Sequence, residues 1–217
     1  MPIIQGQEIL RRMNYVFDRR ARCGKVRTVF MSRKIGRTEP KAASSADVVL
    51  VLGGARSGKS SFASRLAATR FARPLYLATA EALDAEMAAR VKLHKEARGS
   101  RWACVEEPLD IARIIANPPK PCDGILLDCL TLWLTNVLLK EGDKAVASRK
   151  RQLLAALKAA RRPVIIVSNE VGMGIVPDSE LGRQFRDLAG WLNQDVAAVA
   201  DTVVFVAAGL PVALKGG

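Results

Sequence analysis

From residue 48 onward, short apolar runs alternate with segments whose apolar residues recur at three- and four-residue spacing. The runs 48–52, 75–78, 125–128, 164–168 and 202–206 are too short for helices and read as buried strands. The stretches 59–70, 82–97, 108–116, 130–140, 144–161 and 180–200 read as helices. This alternation predicts an α/β fold, a mostly parallel sheet flanked by helices, in a single domain. In such sheets ligands gather beyond the carboxyl ends of the strands, so residues just after each apolar run are the first to search for chemistry. No internal repeat is visible.

The first 45 residues do not follow the pattern. Their apolar residues are scattered, and they hold eleven basic against three acidic residues, a net of +8 out of +13 for the whole chain. The expected organisation is a basic N-terminal extension over 1–45, disordered or dispensable, and a catalytic domain over 46–217, joined through Ala42-Ala43-Ser44-Ser45. An Arg-rich, acid-poor start is shared by transit peptides and basic arms, and also fits translation beginning downstream, for example at Met31. Because most of the excess charge lies there, and only 5% of residues are aromatic, a nucleic-acid-binding NTPase using the tail and Arg149, Lys150 and Arg151 is the weaker reading, and no nucleic-acid partner is expected. No apolar run reaches the length of about 18 residues needed for a membrane helix, so no membrane span is expected. Cys23, Cys104, Cys122 and Cys129 form no C-x-x-C pair and fit thiols of a reducing cytoplasm.

The strongest chemical signal sits where the run 48–52 breaks into Gly53, Gly54, Ala55, Arg56, Ser57, Gly58, Lys59 and Ser60, with a helical pattern following. Two glycines five residues apart followed by Lys and Ser make a phosphate-binding loop (P-loop). Its glycines let backbone N–H groups curl around a phosphate, the helix N-terminus adds partial positive charge, Lys59 reaches the β- and γ-phosphates, and the Ser60 hydroxyl binds Mg²⁺. The second signal is Ile125-Leu126-Leu127-Asp128, an apolar run closed by a carboxylate that suits a metal-holding acid. Any buried strand can end in Asp, and it is the loop upstream that favours the metal role.

Three further features stand out. His94 is the only histidine and shares a helical face with Leu83, Met87 and Val91, with Arg90 at its margin; spacing alone makes it a packed residue more often than a nucleophile. Asn169-Glu170-Val171-Gly172-Met173-Gly174-Ile175-Val176-Pro177 follows a strand end directly, where Asn169 and Glu170 are placed to meet a nucleotide or substrate. Over 180–200, Leu181, Phe185, Leu188, Leu192, Val196 and Val199 form an apolar stripe, and Arg183, Arg186, Gly190 and Asn193 occupy a band of about 80° opposite. A helical glycine costs about 1 kcal/mol relative to alanine, so Gly190 suggests close approach by another group.

The P-loop, Tyr76-Leu77-Ala78-Thr79-Ala80, Asp84-Ala85-Glu86-Met87 with Arg90 and His94-Lys95, the 169–177 loop, Phe185-Arg186-Asp187 and Asn193-Gln194 together closely resemble the bifunctional adenosylcobinamide kinase and adenosylcobinamide-phosphate guanylyltransferase family of cobalamin synthesis. The resemblance covers about residues 47–208. It implies phosphorylation of adenosylcobinamide by ATP or GTP, then transfer of GMP from GTP onto that phosphate, giving adenosylcobinamide-GDP and pyrophosphate, with Mg²⁺ as cofactor. It implies that His94 is the guanylyl acceptor, although some members carry two adjacent histidines where this chain has Leu93 before His94. It also implies a homo-oligomer, a trimer. Arg90, Asn169, Glu170, Arg186 and Asn193 are the expected substrate or nucleotide contacts, with Glu170 and Asp128 the candidates to orient the attacking hydroxyl. The alternative is a P-loop small-molecule kinase without nucleotidyl transfer, which keeps Lys59, Ser60 and Asp128 but has no need of His94.

Overall fold

A computed structural model describes residues 46–80 and 101–216. The extension over 1–45 and the helix expected over 82–97, with Arg90 and His94, lie outside the described residues. All described residues belong to one compact unit.

Seven strands form one sheet: β1 (Val48–Gly53), β2 (Pro74–Ala78), β3 (Ala103–Glu106), β4 (Gly124–Asp128), β5 (Val164–Asn169), β6 (Thr202–Ala207) and β7 (Leu210–Lys215). Their spatial order is β3-β2-β4-β5-β1-β6-β7. Every neighbouring pair is parallel except β6 with β7. Five helices are described: α1 (Lys59–Arg70), α2 (Ile111–Ala116), α3 (Leu130–Glu141), α4 (Asp143–Lys158) and α5 (Glu180–Val199).

The continuous apolar runs follow from this placement. β1 lies between β5 and β6, and all six of its residues are buried. The pleat sends alternate residues to opposite faces. Val48, Leu50 and Leu52 join the core under α2, α3, α4 and α5, while Val49 and Val51 join the core that includes Ala63 and Ala67 of α1. β4 and β5 divide in the same way, with Ile125, Leu127, Val164 and Ile166 on the first face and Leu126, Ile165 and Val167 on the second.

The five expected strands and five of the expected helices form, with no end shifted by more than three residues. α2 begins at Ile111 rather than 108 because Glu107 accepts hydrogen bonds from the N–H groups of Leu109 (3.2 Å) and Asp110 (2.9 Å), holding that stretch as a turn. β3 and β7 were not expected. Both are edge strands with mostly exposed residues, so neither carries a buried-strand signature. Pro211 further masks β7, since a proline cannot donate to a ladder and is confined to edges.

Candidate active site

The P-loop joins β1 to α1. Gly53 cannot carry a side chain there, because a Cβ would fall 2.5 Å from both Ser57 Oγ and the Val206 carbonyl oxygen. Arg56 adopts a left-handed backbone (φ 57°) and Gly58 does too (φ 92°), which turns the chain sharply into the helix. The loop is braced by bonds from Ser57 N–H to the Gly54 oxygen (3.2 Å) and from Phe62 N–H to the Gly58 oxygen (2.9 Å). Gly58 caps α1 without a side-chain hydrogen bond, and the first turn holds no acidic residue. The N-terminal N–H groups of α1 are therefore met by no carboxylate of their own turn, an arrangement suited to an anion.

Two side chains in the loop suit a phosphate. The Ser57 hydroxyl oxygen is buried without a hydrogen-bond partner among the described residues, a state that costs free energy until a ligand group pairs with it. Lys59 is 8% exposed and donates from Nζ to the Gly54 carbonyl oxygen at 3.0 Å. Its pKa is lowered by burial, against the opposing influence of Cys129 and Asp128. A buried ammonium folded onto its own loop and set near an acid is poised to exchange that carbonyl for a phosphate oxygen.

Asp128 ends β4, half-buried, and accepts a hydrogen bond from the Tyr76 hydroxyl at 3.2 Å. Mg²⁺ is commonly held by one or two carboxylates together with waters and substrate phosphates. The hard oxygen donors of Asp128 and Ser60 are of the kind that ion takes, and Asp128, at the carboxyl end of β4, lies at the same edge of the parallel sheet as the loop that follows β1. Among the described residues no group of three or more His, Cys, Asp or Glu side chains forms a metal cage.

β5 carries its own polar end to the same edge of the sheet. Glu170 N–H donates to the Gly53 carbonyl oxygen at 3.0 Å, tying the end of β5 to the start of the P-loop. The Glu170 carboxylate accepts from Gly172 N–H at 2.7 Å. Arg186 is engaged by Asp187, with Nε 3.0 Å from Oδ1. Asn193 does not stand on an open polar face. It is 6% exposed, accepts from the Ser168 hydroxyl at 2.6 Å and donates to the Asn169 carbonyl oxygen at 3.0 Å. The buried residues of α5 are Ala189, Leu192, Asn193 and Val196, while Leu181 of the expected stripe is 58% exposed. The helix thus turns one amide toward the sheet because Ser168 and Asn169 pair with it. A Cβ at Gly190 would meet no described atom within 4 Å, so the close approach expected there does not occur among the described residues.

Thr131 and Asn136 were not singled out in the sequence, and Thr79 and Arg183 were named there but not for the contacts they make. Thr79, Thr131 and Asn136 are buried polar residues around the ends of β2 and β4. Asn136 donates to the carbonyl oxygens of Thr79 (2.8 Å) and Pro108 (3.2 Å). Arg183 Nη1 donates to the Pro177 and Asp178 carbonyl oxygens at 3.0 and 2.7 Å, clamping the 171–178 loop onto α5. Gly182 permits this approach, since its Cβ would lie 2.8 Å from Pro177 Cβ. Polar residues one to three positions beyond a strand end were the available signal for Thr79 and Thr131. Of the basic trio at 149–151, Arg149 pairs with Glu141 at 2.5 Å and Lys150 with Asp195 at 2.5 Å. No helix among the described residues is long and apolar enough to cross a membrane.

Comparison with known proteins adds a chemical identity to this geometry. Residues 49–214 match a family described as cobinamide kinase / cobinamide phosphate guanyltransferase. The chain is similar to the bifunctional adenosylcobalamin biosynthesis protein CobP of Pseudomonas aeruginosa, 45% identical over 77% of this chain and 96% of that protein. It is similar to the bifunctional adenosylcobalamin biosynthesis proteins CobU of Escherichia coli and Salmonella typhimurium, at 39% and 40% identity, again over 77% of this chain and 99% of each relative.

Proposed function

Because the chain belongs to the cobinamide kinase / cobinamide phosphate guanyltransferase family, we propose that it carries out both reactions of that description at the edge of the sheet where the P-loop, Asp128 and Glu170 meet. It is a bifunctional transferase of cobalamin biosynthesis. In the first reaction it phosphorylates the hydroxyl of adenosylcobinamide from ATP or GTP. In the second it transfers GMP from GTP onto that phosphate, giving adenosylcobinamide-GDP and pyrophosphate. The observation that carries this reading is the family match over residues 49–214, which includes the P-loop and the strand ends around it.

The loop amides, the Ser57 hydroxyl and Lys59 grip the phosphates of either nucleotide and offset charge on the leaving group. Ser60 and Asp128 would hold Mg²⁺, which when bound neutralises phosphate charge. His94 is the guanylyl acceptor. Its neutral imidazole attacks the α-phosphorus of GTP, the bond to pyrophosphate breaks, and a phosphoramidate forms; the corrinoid phosphate then displaces the histidine and takes the GMP. Arg90, near His94 in sequence, supplies positive charge to the phosphates, and Glu170 orients the attacking hydroxyl in the kinase step. Arg186, half-buried on α5, binds substrate. The working form is a cytoplasmic homo-trimer.

Incubation with α-labelled GTP and Mg²⁺ tests the covalent step. Acid-labile, base-stable label on the wild-type protein and none on His94→Ala is the expected result. A kinase without nucleotidyl transfer would phosphorylate adenosylcobinamide and acquire no label.

A further inference from the structure

A continuous set of polar contacts runs behind the two acids of the site. At the β2 end, Thr79 N–H donates to the Asp128 carbonyl oxygen at 3.2 Å. The Thr79 hydroxyl donates to the Cys129 carbonyl oxygen and accepts from Cys129 N–H, both at 2.8 Å. Cys129 Sγ lies 3.1 Å from the Thr131 hydroxyl oxygen, in the first turn of α3. That oxygen accepts from Asn169 Nδ2 at 2.6 Å. Asn193 and Ser168 close the far end through the bonds already described.

Thr79, Thr131, Ser168 and Asn193 are each 6% exposed or less. A buried polar network that is fully paired rigidifies its surroundings and selects one arrangement, whereas each member left unpaired is costly. This one passes through the residue after Asp128 and the residue before Glu170. Thr131 joins the β4 end to the β5 end, and Glu170 N–H joins that end to Gly53 of the P-loop.

We propose that Thr131, supported by Asn169, Asn193 and Ser168, is a positioning residue that sets the Asp128 carboxylate against the P-loop so that metal-bound nucleotide is held in reacting geometry. Asn169 and Asn193 then act through Thr131 and the strand ends rather than as ligand contacts. The role of Thr131 rests on the proposed reading of Asp128 as the metal-holding acid.

Thr131→Val keeps the side-chain shape and removes the hydroxyl; Thr131→Ser keeps the hydroxyl. Equilibrium binding of GTP to the full chain is measured with and without Mg²⁺, together with kcat and KM for guanylyl transfer and thermal melting. Thr131→Val is expected to bind metal-free GTP like the wild type, to lose about tenfold of the Mg²⁺-dependent gain in affinity, and to lose a comparable factor in kcat, the size seen when partners behind a metal ligand are removed. Thr131→Ser is expected to restore both. Ser168→Ala, a smaller change farther along the network, gives a loss of the same kind and serves if Thr131→Val does not fold. A Mg²⁺-dependent gain and a kcat unchanged in the variant that folds would overturn the inference alone. A Thr131→Ser protein as impaired as Thr131→Val would overturn it in favour of simple packing. Absence of any Mg²⁺-dependent gain in the wild type would remove the metal role from Asp128 and the positioning role with it.

Discussion

Gly209 donates its backbone N–H to the carbonyl oxygen of Ser57 at 2.8 Å, so the turn between β6 and β7 closes directly on the phosphate-binding loop. The turn is made by Ala208 and Gly209, both with left-handed backbones (φ 50° and 80°), the conformation that two-residue hairpin turns favour. Gly58 shares the contact, since a Cβ there would lie 3.2 Å from Gly209 Cα. The edge hairpin is therefore a brace for the loop.

Gly58→Ala should accordingly damage nucleotide binding out of proportion to its size. A left-handed backbone costs a non-glycine residue about 1–2 kcal/mol, and the added methyl presses on Gly209. The expected outcome is a lower melting temperature and weaker GTP binding. Gly142→Ala is the control, at a glycine with comparable φ (81°) and no described atom within 4 Å of its Cβ: it should lower stability while leaving GTP affinity unchanged. Calorimetric melts and equilibrium nucleotide binding on both variants check this.

Lys59→Ala should lose both activities, by about 10²–10³-fold each in kcat, the scale for removing one charge-stabilising donor. Both reactions use the same phosphate grip. His94→Ala should lose guanylyl transfer and keep most of the kinase activity. Separate assays of adenosylcobinamide phosphate and adenosylcobinamide-GDP formation distinguish the two, and equal formation of the GDP product by His94→Ala and wild type would rule out the covalent step.

Acid stability should report on Glu107. Burial alone would raise its pKa, but the N–H groups of Asp110 and Leu109 and the Arg113 guanidinium bring it below the ordinary glutamate value. A carboxylate with a depressed folded pKa contributes stability that is fully present above its unfolded pKa and is lost as pH falls through the folded one. Glu107→Gln should lower the melting temperature by about 2–4 °C at neutral pH, the shift that about 1 kcal/mol makes in a domain of this size. The gap should close as pH drops below the ordinary glutamate range. A gap constant down to the acid limit would show that the charge of Glu107 contributes nothing.

Removal of residues 1–45 should leave both activities and the melting temperature of the remaining chain nearly unchanged. β1 begins at Val48 and the family match at residue 49, and 77% of this chain accounts for 96–99% of each relative. Side-by-side assays of the full and shortened chains decide it; a large fall in GMP transfer would assign the extension a working role.

Much of the architecture is legible in the chain because its determinants are local. Val48 to Leu52, Ile125 to Leu127 and Val164 to Val167 are apolar on both faces, which only a strand covered on both sides satisfies. The spacing of Gly53, Gly58, Lys59 and Ser60 encodes a turn and a helix start whatever surrounds it. The tertiary structure alone decided how separate strand ends combine. Asn193 belongs to a helical band that looks solvent-facing in periodicity, yet it is buried because Ser168 and Asn169, 25 and 24 positions earlier, meet it with matching hydrogen-bond groups. β7 forms from a segment with no strand signature because the Ala208-Gly209 turn folds it onto β6. Thr131 becomes a link between β4 and β5 only once those strands lie side by side. Short-range patterns record which face of an element is apolar. Pairings across many intervening residues depend on which elements the sheet order makes neighbours, and no local pattern carries that information.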